Sequence, residues 1–278
     1  MPELPEVETV KRTLNGQIIG LTIEKVVVNH EKMIKNPSVP AFMKQLIGQQ
    51  FIDVKRRGKY LIFELDDYYL LSHLRMEGKF FYGNDPLVKD KHIHVTFELS
   101  SGKPLIYEDV RKFGTFHLYE KSIDLERTPS FAKLGPEPWA DTFNVEATYN
   151  MLKGRKMPIK SMLLTQKVVA GLGNIYVDEV LFHANIHPLK KSGDLSLDEI
   201  DRVIFHTKEI LKKAIVLKGT TIRTFSSSHG STGEFQNFLQ VHTRKDAPCH
   251  VCQMTIVKIK VGGRGTYFCP VCQPTDVN

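Results

Sequence analysis

Four cysteines near the end of the chain constrain its fold more than any other feature. They form two C-x-x-C pairs separated by sixteen residues: Cys249, Cys252, Cys269 and Cys272. This spacing is typical of a structural zinc site with four thiolate ligands. Two disulfides are the alternative, but the lack of cysteines elsewhere in the sequence argues against a disulfide framework. A segment this short has no core of its own, so we expect the metal to supply much of its folding free energy.

A β-hairpin is predicted between the two cysteine pairs. Residues 255–261 and 266–268 have the composition of strands, and Gly-Gly-Arg-Gly at 262–265 joins them. The pattern therefore places Arg264 at the tip of the hairpin. Glycines on both sides permit close approach to another molecule, which favours a phosphate contact; a solvated turn residue is the alternative.

The net charge indicates a polyanionic partner. Among 278 residues, 38 are Lys or Arg and 31 are Asp or Glu, which gives a formal net charge of +7. Basic proteins gain free energy by displacing counterions from a phosphate backbone, although ribosomal and membrane-surface proteins have similar compositions. With 41% hydrophobic residues and no apolar run long enough to cross a bilayer, the sequence predicts a cytoplasmic protein of two domains.

The N-terminus suggests covalent chemistry. If Met1 is removed, Pro2 presents a secondary amine, and an unprotonated amine attacks aldehyde-like carbons to form an iminium. Glu3 and Glu6 lie within one helical turn of that nitrogen, where carboxylates can carry protons. A structural explanation is the alternative, because Pro followed by Glu is also a favourable helix start. With Met1 in place, the Pro2 nitrogen is a tertiary amide without nucleophilic character.

A β-rich region precedes a helical one. After an amphipathic first helix, short runs separated by turns predict a β-sandwich or barrel; they are residues 22–28, 50–54, 60–65, 69–73, 93–99, 105–107 and 115–119. Prolines and a glycine in residues 128–139 indicate a connection between domains. Helical periodicity follows at residues 145–152, 158–164, 174–183 and 197–216. A loop rich in Ser, Thr and Gly spans residues 219–233.

Three further groups favour contact with DNA when they are taken together. Residues 55–60 concentrate four cations, which a solvated turn would also explain. The turn Gly-Leu-Gly-Asn at 171–174 forms an anion site at a helix start, unless Asn174 only caps that helix. Met76, Arg111 and Phe113 fall in loops or at strand ends, where apolar wedges unstack bases. Core packing is the alternative for each of these three.

Several of these motifs, in the same order, resemble the formamidopyrimidine-DNA glycosylase family. The motifs are PELPEVET at residues 2–9, RRGKYL at 56–61, SHLRM at 72–76, DVRKFG at 109–114, GNIY at 173–176 and the cysteine hairpin. The resemblance covers almost the whole chain. It implies an α+β multidomain fold with the following parts: an N-terminal β-sandwich catalytic domain with a leading helix at 1–128, a linker at 129–140, a helix-two-turn-helix domain at 141–235 with a lesion-recognition loop at 219–233, a four-cysteine zinc finger at 236–273 and a disordered tail at 274–278.

The resemblance also implies a function. Its members are bacterial base-excision repair enzymes that remove oxidised purines such as 8-oxoguanine and formamidopyrimidines, and then nick the strand by β,δ-elimination. In that family the Pro2 nitrogen attacks C1′ of the flipped nucleotide and forms a Schiff base, Glu3 shuttles protons and Glu6 orders the site. One structural Zn²⁺, damaged double-stranded DNA as partner, no membrane association and a monomeric state are implied as well.

Other site residues follow from the resemblance, position by position. Catalytic roles are implied for Pro2, Glu3, Glu6, Lys59 and Arg264. DNA contacts are implied for Lys59, His73, Arg75, Met76, His92, Arg111, Phe113, Asn174 and Arg264. Lesion recognition is implied for Glu77, Tyr176, Thr220, Arg223 and Thr224.

The chain departs from the family pattern in two places. Thr165 stands where relatives commonly carry an acidic residue, so no catalytic role is assigned to it. The tail continues past Cys272, and we expect disorder from Gln273 onward. Two other functions stay open: an endonuclease VIII-like enzyme that acts on oxidised pyrimidines, against which Met76 and residues 111–113 argue, and a non-catalytic zinc-ribbon DNA-binding protein.

Overall fold

The computed structural model describes residues 1–83, 89–220 and 233–275. The chain forms two compact units. The first consists of Met1–Phe131 with Lys218–Gly233, and the second consists of Ala132–Leu217 with the chain from Glu234 onward. Lys218–Gly233 therefore groups with the first unit, although it lies between parts of the second in sequence. The helical region and the cysteine hairpin share the second unit.

The described residues form six α-helices and eleven β-strands. The helices are α1 Leu4–Ile18, α2 Val39–Leu46, α3 Val145–Leu152, α4 Ile159–Leu164, α5 Asn174–His183 and α6 Leu197–Val216. The strands are β1 Ile23–Val28, β2 Ile34–Asn36, β3 Asp53–Arg57, β4 Tyr60–Glu64, β5 Tyr68–His73, β6 Lys79–Tyr82, β7 Ile93–Leu99, β8 Pro104–Glu108, β9 Thr115–Glu120, β10 Val257–Val261 and β11 Arg264–Phe268. None of the described helices has the length and apolar character needed to span a bilayer.

A β-sandwich makes up most of the first unit. One sheet has the strand order β1-β7-β8-β6, and the other has the order β2-β9-β5-β4-β3. Both inner faces contribute to a single apolar core. Aromatic rings from opposite sheets interlock there: the ring centroids of Tyr107 and Phe116 are 4.9 Å apart, and those of Phe63 and Phe80 are 5.3 Å apart. The sequence was compatible with a sandwich or a barrel, and the two separate sheets show that the fold is a sandwich.

Helix α1 fixes the position of the N-terminus. Its apolar residues recur at three- and four-residue intervals, so Val7, Val10, Leu14 and Ile18 lie on one face and belong to the sandwich core. Burial of each such side chain contributes roughly 1.5–3 kcal/mol. Because the helix is anchored along its whole length, the residues that precede Leu4 are held in place beside the sandwich.

Three elements of the first unit were not predicted: α2, β2 and β6. Helix α2 follows Pro37 and contains Pro40, and two prolines so close together indicate a loop when only the sequence is considered. Pro40 lies in the first turn of the helix, where its missing N–H breaks no hydrogen bond. Strands β2 and β6 have only three and four residues, too few to show a period.

The elements of the second unit lie close to their predicted positions. Helices α3 to α6 begin and end within one residue of the prediction. In the hairpin, only Gly262 and Gly263 form the turn, with φ of 52° and 80°, values that a two-residue hairpin turn requires. Arg264 pairs with Val261 as the first residue of β11. The turn is therefore shorter than the predicted residues 262–265, because strand pairing extends to Arg264, which directly follows the turn at the tip end of the hairpin.

Candidate active site

A buried carboxylate organises the N-terminal end of the first unit. Glu6 is 2% exposed, and its Oε2 accepts a hydrogen bond from Glu3 N at 2.8 Å. Its Oε1 accepts from Thr220 N at 2.7 Å and from Thr220 Oγ1 at 3.1 Å. A hydrogen bond to a charged group contributes roughly 1.5–3 kcal/mol. Glu6 therefore fixes both the start of α1 and the first residues of the predicted lesion loop.

The glycine at position 219 lets the backbone of the predicted loop come close to Glu6. Gly219 has a φ of +79°, and a Cβ atom at this position would lie 2.5 Å from Glu6 Oε1. A Cβ atom at Gly233 would lie 2.3 Å from the carbonyl oxygen of Gly219. The two ends of the predicted loop therefore lie against each other, which is possible because neither Gly219 nor Gly233 has a side chain. Gly219 also lies against Glu6. Residues 221–232 lie outside the described residues, and with them the predicted site residues Arg223 and Thr224.

Pro2 and Glu3 lie at the buried start of α1. Pro2 is buried and Glu3 is 2% exposed, whereas Met1 is 42% exposed. Pro2 and Glu3 therefore belong to the same buried corner as Glu6 and Thr220. The exposure of Met1 leaves it accessible for removal.

Lys59 lies in the tight turn between β3 and β4. Gly58 precedes it with a φ of 56°, which glycine adopts without strain at the first position of a two-residue hairpin turn. Lys59 is 6% exposed, so its long side chain is packed against the protein. The positive charge of Lys59 also helps to lower the pKa of His73, a residue of the neighbouring strand β5.

His73 is held neutral. Burial, followed by the charges of Arg75 and Lys59, lowers the pKa of His73 to about 3. His73 Nδ1 accepts a hydrogen bond from Arg75 N at 2.9 Å, which a protonated ring nitrogen could not do. Arg75 has a φ of 55°, a left-handed conformation that costs free energy in a non-glycine residue. The neutral imidazole thus stabilises the strained turn that presents Arg75 at the surface.

Asp109 organises the loop between β8 and β9. It is 0% exposed; its Oδ1 accepts from Arg111 N at 2.9 Å, and its Oδ2 accepts from Phe113 N at 2.9 Å and Gly114 N at 2.8 Å. Three N–H groups on one buried carboxylate fix the loop backbone. The Arg111 guanidinium carbon lies 4.8 Å from the centroid of the Phe113 ring, and Phe113 is 51% exposed. Core packing is therefore excluded for Phe113.

Met76, Glu77 and His92 are the remaining predicted site residues described in the first unit. All three are half-buried. Met76 and Glu77 follow Arg75 in the turn between β5 and β6. The carbonyl oxygen of His92 accepts from Asp109 N at 3.0 Å, so His92 lies beside the loop that carries Arg111.

In the second unit, Asn174 is linked to the hairpin. Asn174 is the first residue of α5, and Gly173 occupies the cap position. The interpretation of Asn174 as a helix cap is therefore wrong. Its side-chain amide donates instead to the carbonyl oxygen of Gly265 at 3.0 Å, next to Arg264. Tyr176 is fully buried, and its ring centroid lies 5.4 Å from that of Phe235.

A buried ionic network supports the same hairpin, and sequence reasoning missed it. Lys160 Nζ lies 2.7 Å from Asp178 Oδ1, both side chains are 0% exposed, and Lys160 also donates to the carbonyl oxygen of Gly265 at 3.1 Å. His242 Nδ1 lies 2.8 Å from Asp178 Oδ2. The sequence does contain a signal for this network: Lys160 and Asp178 are charged residues inside otherwise apolar helical segments. Buried charges require partners, so such residues indicate an ion pair.

The four cysteine sulfurs form a candidate metal site. All four Sγ atoms lie within 4.8 Å of one another. The Sγ atoms of Cys252 and Cys269 are 3.4 Å apart, and those of Cys249 and Cys272 are 3.9 Å apart. Tetrahedral Zn–S bonds of about 2.3 Å require sulfurs about 3.8 Å apart, so the donor set fits one Zn²⁺.

Gln273, predicted to begin a disordered tail, is part of the folded hairpin region. It is 1% exposed, its Oε1 accepts from Cys269 N at 3.0 Å, and its Nε2 donates to the carbonyl oxygen of Ile186 at 2.9 Å. The expectation of disorder was therefore wrong for Gln273, because both ends of its side-chain amide are hydrogen-bonded to the folded chain. Residues 276–278 lie outside the described part of the chain.

The parts of the chain match one class of DNA glycosylase. Residues 1–116 match the family model of the formamidopyrimidine-DNA glycosylase N-terminal domain, and residues 134–226 match that of the formamidopyrimidine-DNA glycosylase H2TH domain. Residues 247–275 match the zinc finger found in FPG and IleRS. The sandwich with its leading helix, the helices and the cysteine hairpin thus each have a counterpart in this class.

Full-length relatives agree with these matches. The formamidopyrimidine-DNA glycosylase of Oceanobacillus iheyensis is 47% identical over 275 residues, which cover 99% of this chain and 98% of the relative. A solved complex of a Lactococcus lactis FPG mutant with Fapy-dG containing DNA has a TM-score of 0.91 and 45% identity, covering 99% of this chain and 100% of that chain. A structure of MutM with DNA containing carbocyclic 8-oxo-G has a TM-score of 0.90 and 44% identity, covering 99% and 100%.

The chain therefore belongs to the formamidopyrimidine-DNA glycosylase family. Membership confirms the predicted α+β multidomain fold and the enzyme class, and the clustered cysteines confirm the prediction of one structural zinc. The roles of individual residues and the functional domain boundaries stay predictions.

Proposed function

We propose that this enzyme excises 8-oxoguanine and formamidopyrimidines from double-stranded DNA and then cleaves the strand at the abasic site. One observation carries the proposal: Pro2 and Glu3 lie at a buried helix start that the Glu6 carboxylate ties to Thr220. Catalysis by a nucleophile and a proton carrier requires both to be held in a fixed geometry. The bond from Glu3 N to Glu6 also caps α1, and the bonds from Thr220 join this helix start to the predicted lesion loop.

Pro2 is the proposed nucleophile. Once Met1 has been removed, the Pro2 nitrogen has a lone pair that forms a bond to C1′ of the extruded nucleotide, and the bond between C1′ and the base breaks as the base takes up a proton. The nitrogen then gives up its own N–H proton, which restores its lone pair. The sugar ring then opens: O4′ receives a proton, the C1′–O4′ bond breaks, and an iminium joins Pro2 to C1′. Glu3 is the neighbouring carboxyl group that carries these protons.

Strand cleavage follows from the iminium. The iminium acidifies the protons on C2′, so loss of one of them expels the 3′ phosphate by β-elimination. A second, δ-elimination, in which C4′ loses a proton, releases the 5′ phosphate. In each elimination the iminium nitrogen accepts the electron pair of the broken C–H bond and returns it as the phosphate leaves, so no oxidant or reductant is required.

The remaining residues hold the DNA. Met76, Arg111 and Phe113 are proposed to fill the space that the extruded nucleotide leaves, since the exposed Phe113 ring and the Arg111 guanidinium form one stacked surface. Lys59, His73, Arg75 and His92 are proposed to contact the backbone near the lesion, and Asn174 and Arg264 to contact phosphates. Glu77, Tyr176, Thr220, Arg223 and Thr224 are proposed to recognise the lesion.

The zinc ion has a structural part in this proposal. The four cysteines would hold it, and its contribution is the folding free energy of the hairpin that carries Arg264. No chemical step passes through it. Because the substrate is chromosomal DNA and the relatives are bacterial, we place the enzyme in the bacterial cytoplasm.

Substrate choice tests the proposal. Duplex DNA with 8-oxoguanine opposite cytosine should be cleaved much faster than duplex DNA with thymine glycol. The reverse order would favour the endonuclease VIII-like function. A Glu3→Gln variant should bind the 8-oxoguanine duplex with unchanged affinity and lose turnover, whereas a protein that binds but never cleaves even in its wild-type form would be a non-catalytic DNA-binding protein.

A further inference from the structure

Tyr107, in strand β8, lies beneath two loops of the proposed site. These are the Met76 turn, residues 74–78, and the Phe113 loop, residues 109–114. Tyr107 is 0% exposed. A Cβ atom at Gly78 would lie 2.1 Å from the Tyr107 hydroxyl oxygen, and a Cβ atom at Gly114 would lie 1.7 Å from it. The hydroxyl therefore takes the place of a side chain in both loops.

The ring of Tyr107 is fixed between the strands that follow these loops. Its centroid lies 5.1 Å from that of Phe80, which is in β6 after the Met76 turn. It lies 4.9 Å from that of Phe116, which is in β9 after the Phe113 loop. Both pairs are edge-to-face, a favourable geometry for aromatic rings. The ring therefore cannot shift toward one loop without losing contact with the other strand.

The hydroxyl also lies in the field of the carboxylate that shapes the Phe113 loop. Burial, and next the charge of Asp109, raise the pKa of Tyr107 well above its ordinary value, so the hydroxyl keeps its proton. Asp109 holds three N–H groups of the loop. Tyr107 is thus close both to the backbone of the Phe113 loop, at Gly114, and to the Asp109 carboxylate that holds this backbone.

We propose that Tyr107 is a positioning residue that keeps the Met76 turn and the Phe113 loop in register. Met76, Arg111 and Phe113 then enter the DNA as one unit. Wedges that moved independently would fill the space of the extruded nucleotide incompletely and unstack its neighbours less well. Tyr107 itself is buried and acts only through the two loops. This inference rests on the proposed function.

The test compares Tyr107→Phe with wild type on two duplexes. In the first, 8-oxoguanine faces cytosine; in the second, it faces an abasic analogue, so no partner base has to be replaced. Single-turnover excision from the first duplex should fall about tenfold or more, because a misplacement of about 1 Å can cost about 100-fold. Excision from the second duplex and the melting temperature should change little. Tyr82→Phe is the matched control, because the half-buried Tyr82 is in β6 and its hydroxyl bonds to Ser101 Oγ at 2.9 Å, away from both loops.

Unchanged rates on both duplexes would overturn the inference, and so would equal losses on both, since equal losses indicate general structural damage. If Tyr107→Phe does not fold, Gly114→Ala serves as the second variant. Its Cβ displaces Tyr107, so hydrogen exchange should rise in the Met76 turn as well as in the Phe113 loop; a rise confined to the Phe113 loop would contradict the coupling. Wild-type protein that excises from neither duplex would defeat the proposed function instead.

Discussion

Glu6 and Thr220 are 214 positions apart in the sequence, yet Glu6 Oε1 accepts hydrogen bonds from both Thr220 N at 2.7 Å and Thr220 Oγ1 at 3.1 Å. The other oxygen of the same carboxylate accepts from Glu3 N. One group therefore sets the position of the proposed proton carrier, Glu3, and of Thr220, the second residue of the predicted lesion loop. A change at the start of that loop should be felt at the N-terminus.

Gly219→Ala tests this connection. The new Cβ would lie 2.5 Å from Glu6 Oε1 on a backbone with a φ of +79°. We expect a loss of about 1–3 kcal/mol in the free energy of unfolding and a larger loss in single-turnover excision. Gly16→Ala in α1 is the control, because among the described residues no atom beyond its chain neighbours and its own helix backbone lies within 4 Å of the Cβ that alanine would add, and alanine is the better helix residue. A wild-type excision rate for Gly219→Ala would contradict the role of this contact.

Arg264→Ala should weaken DNA binding without regard to sequence. If Arg264 contacts a phosphate, the slope of log K against log salt should decrease by about one. Lys260→Ala removes the same charge from the other face of the hairpin, because Lys260 pairs with Gly265 whereas Arg264 pairs with Val261. Salt titrations of both variants should show the change only for Arg264→Ala. Equal slopes for both variants would indicate that Arg264 is a solvated surface residue without a phosphate contact.

Zinc removal should unfold the hairpin and abolish DNA binding. The buried sulfurs of Cys249 and Cys269 pack with Phe182 of α5 and with Val241. Hydrogen exchange after chelation should therefore increase in β10, in β11 and at the end of α5, while the β-sandwich stays protected. Readdition of Zn²⁺ should restore binding. Unchanged binding by metal-free protein would show that the hairpin folds without zinc.

His73 should make the fold sensitive to acid. Its pKa is about 3 in the folded protein and near 6.5 when unfolded, so between these values only the unfolded chain takes up the proton. The contribution of His73 to stability is complete above pH 6.5 and falls as the pH drops toward 3, by up to about 1.4 kcal/mol per pH unit. His73→Asn keeps an acceptor for Arg75 N but does not titrate.

Urea unfolding at pH 7 and pH 5, followed by hydrogen exchange in β4 and β5, measures this effect. The wild-type protein should lose more stability than His73→Asn over that range. A parallel decline in the two proteins would mean that His73 is protonated in the folded state.

Sequence patterns predicted long elements and local motifs well. Helices α5 and α6 have enough residues for a clear period, and the cysteine spacing identified its metal without knowledge of the fold. Short elements failed because three or four residues carry no period, as in β2 and β6. The error in the length of the hairpin turn was avoidable, since Gly262-Gly263 alone satisfies a two-residue hairpin turn.

Contacts between distant residues could not be predicted from the sequence. Nothing local to Glu6 indicates Thr220 as its partner, because that pairing depends on where the sandwich places the two segments. The buried pair of Lys160 and Asp178 is a similar case. Motif resemblance supplied candidate residues for the site, but it did not reveal the groups that hold them, such as Asp109 beneath the loop of Arg111 and Phe113.

Borohydride trapping measures whether the Pro2 nitrogen forms a covalent bond to the DNA. The protein should be zinc-loaded, with intact mass showing that Met1 is absent, and the duplex should contain 8-oxoguanine opposite cytosine. We expect a stable protein–DNA adduct from wild type, and none from Glu3→Gln or from protein that retains Met1. A Met1-free protein that binds the duplex but yields no adduct would contradict the covalent mechanism.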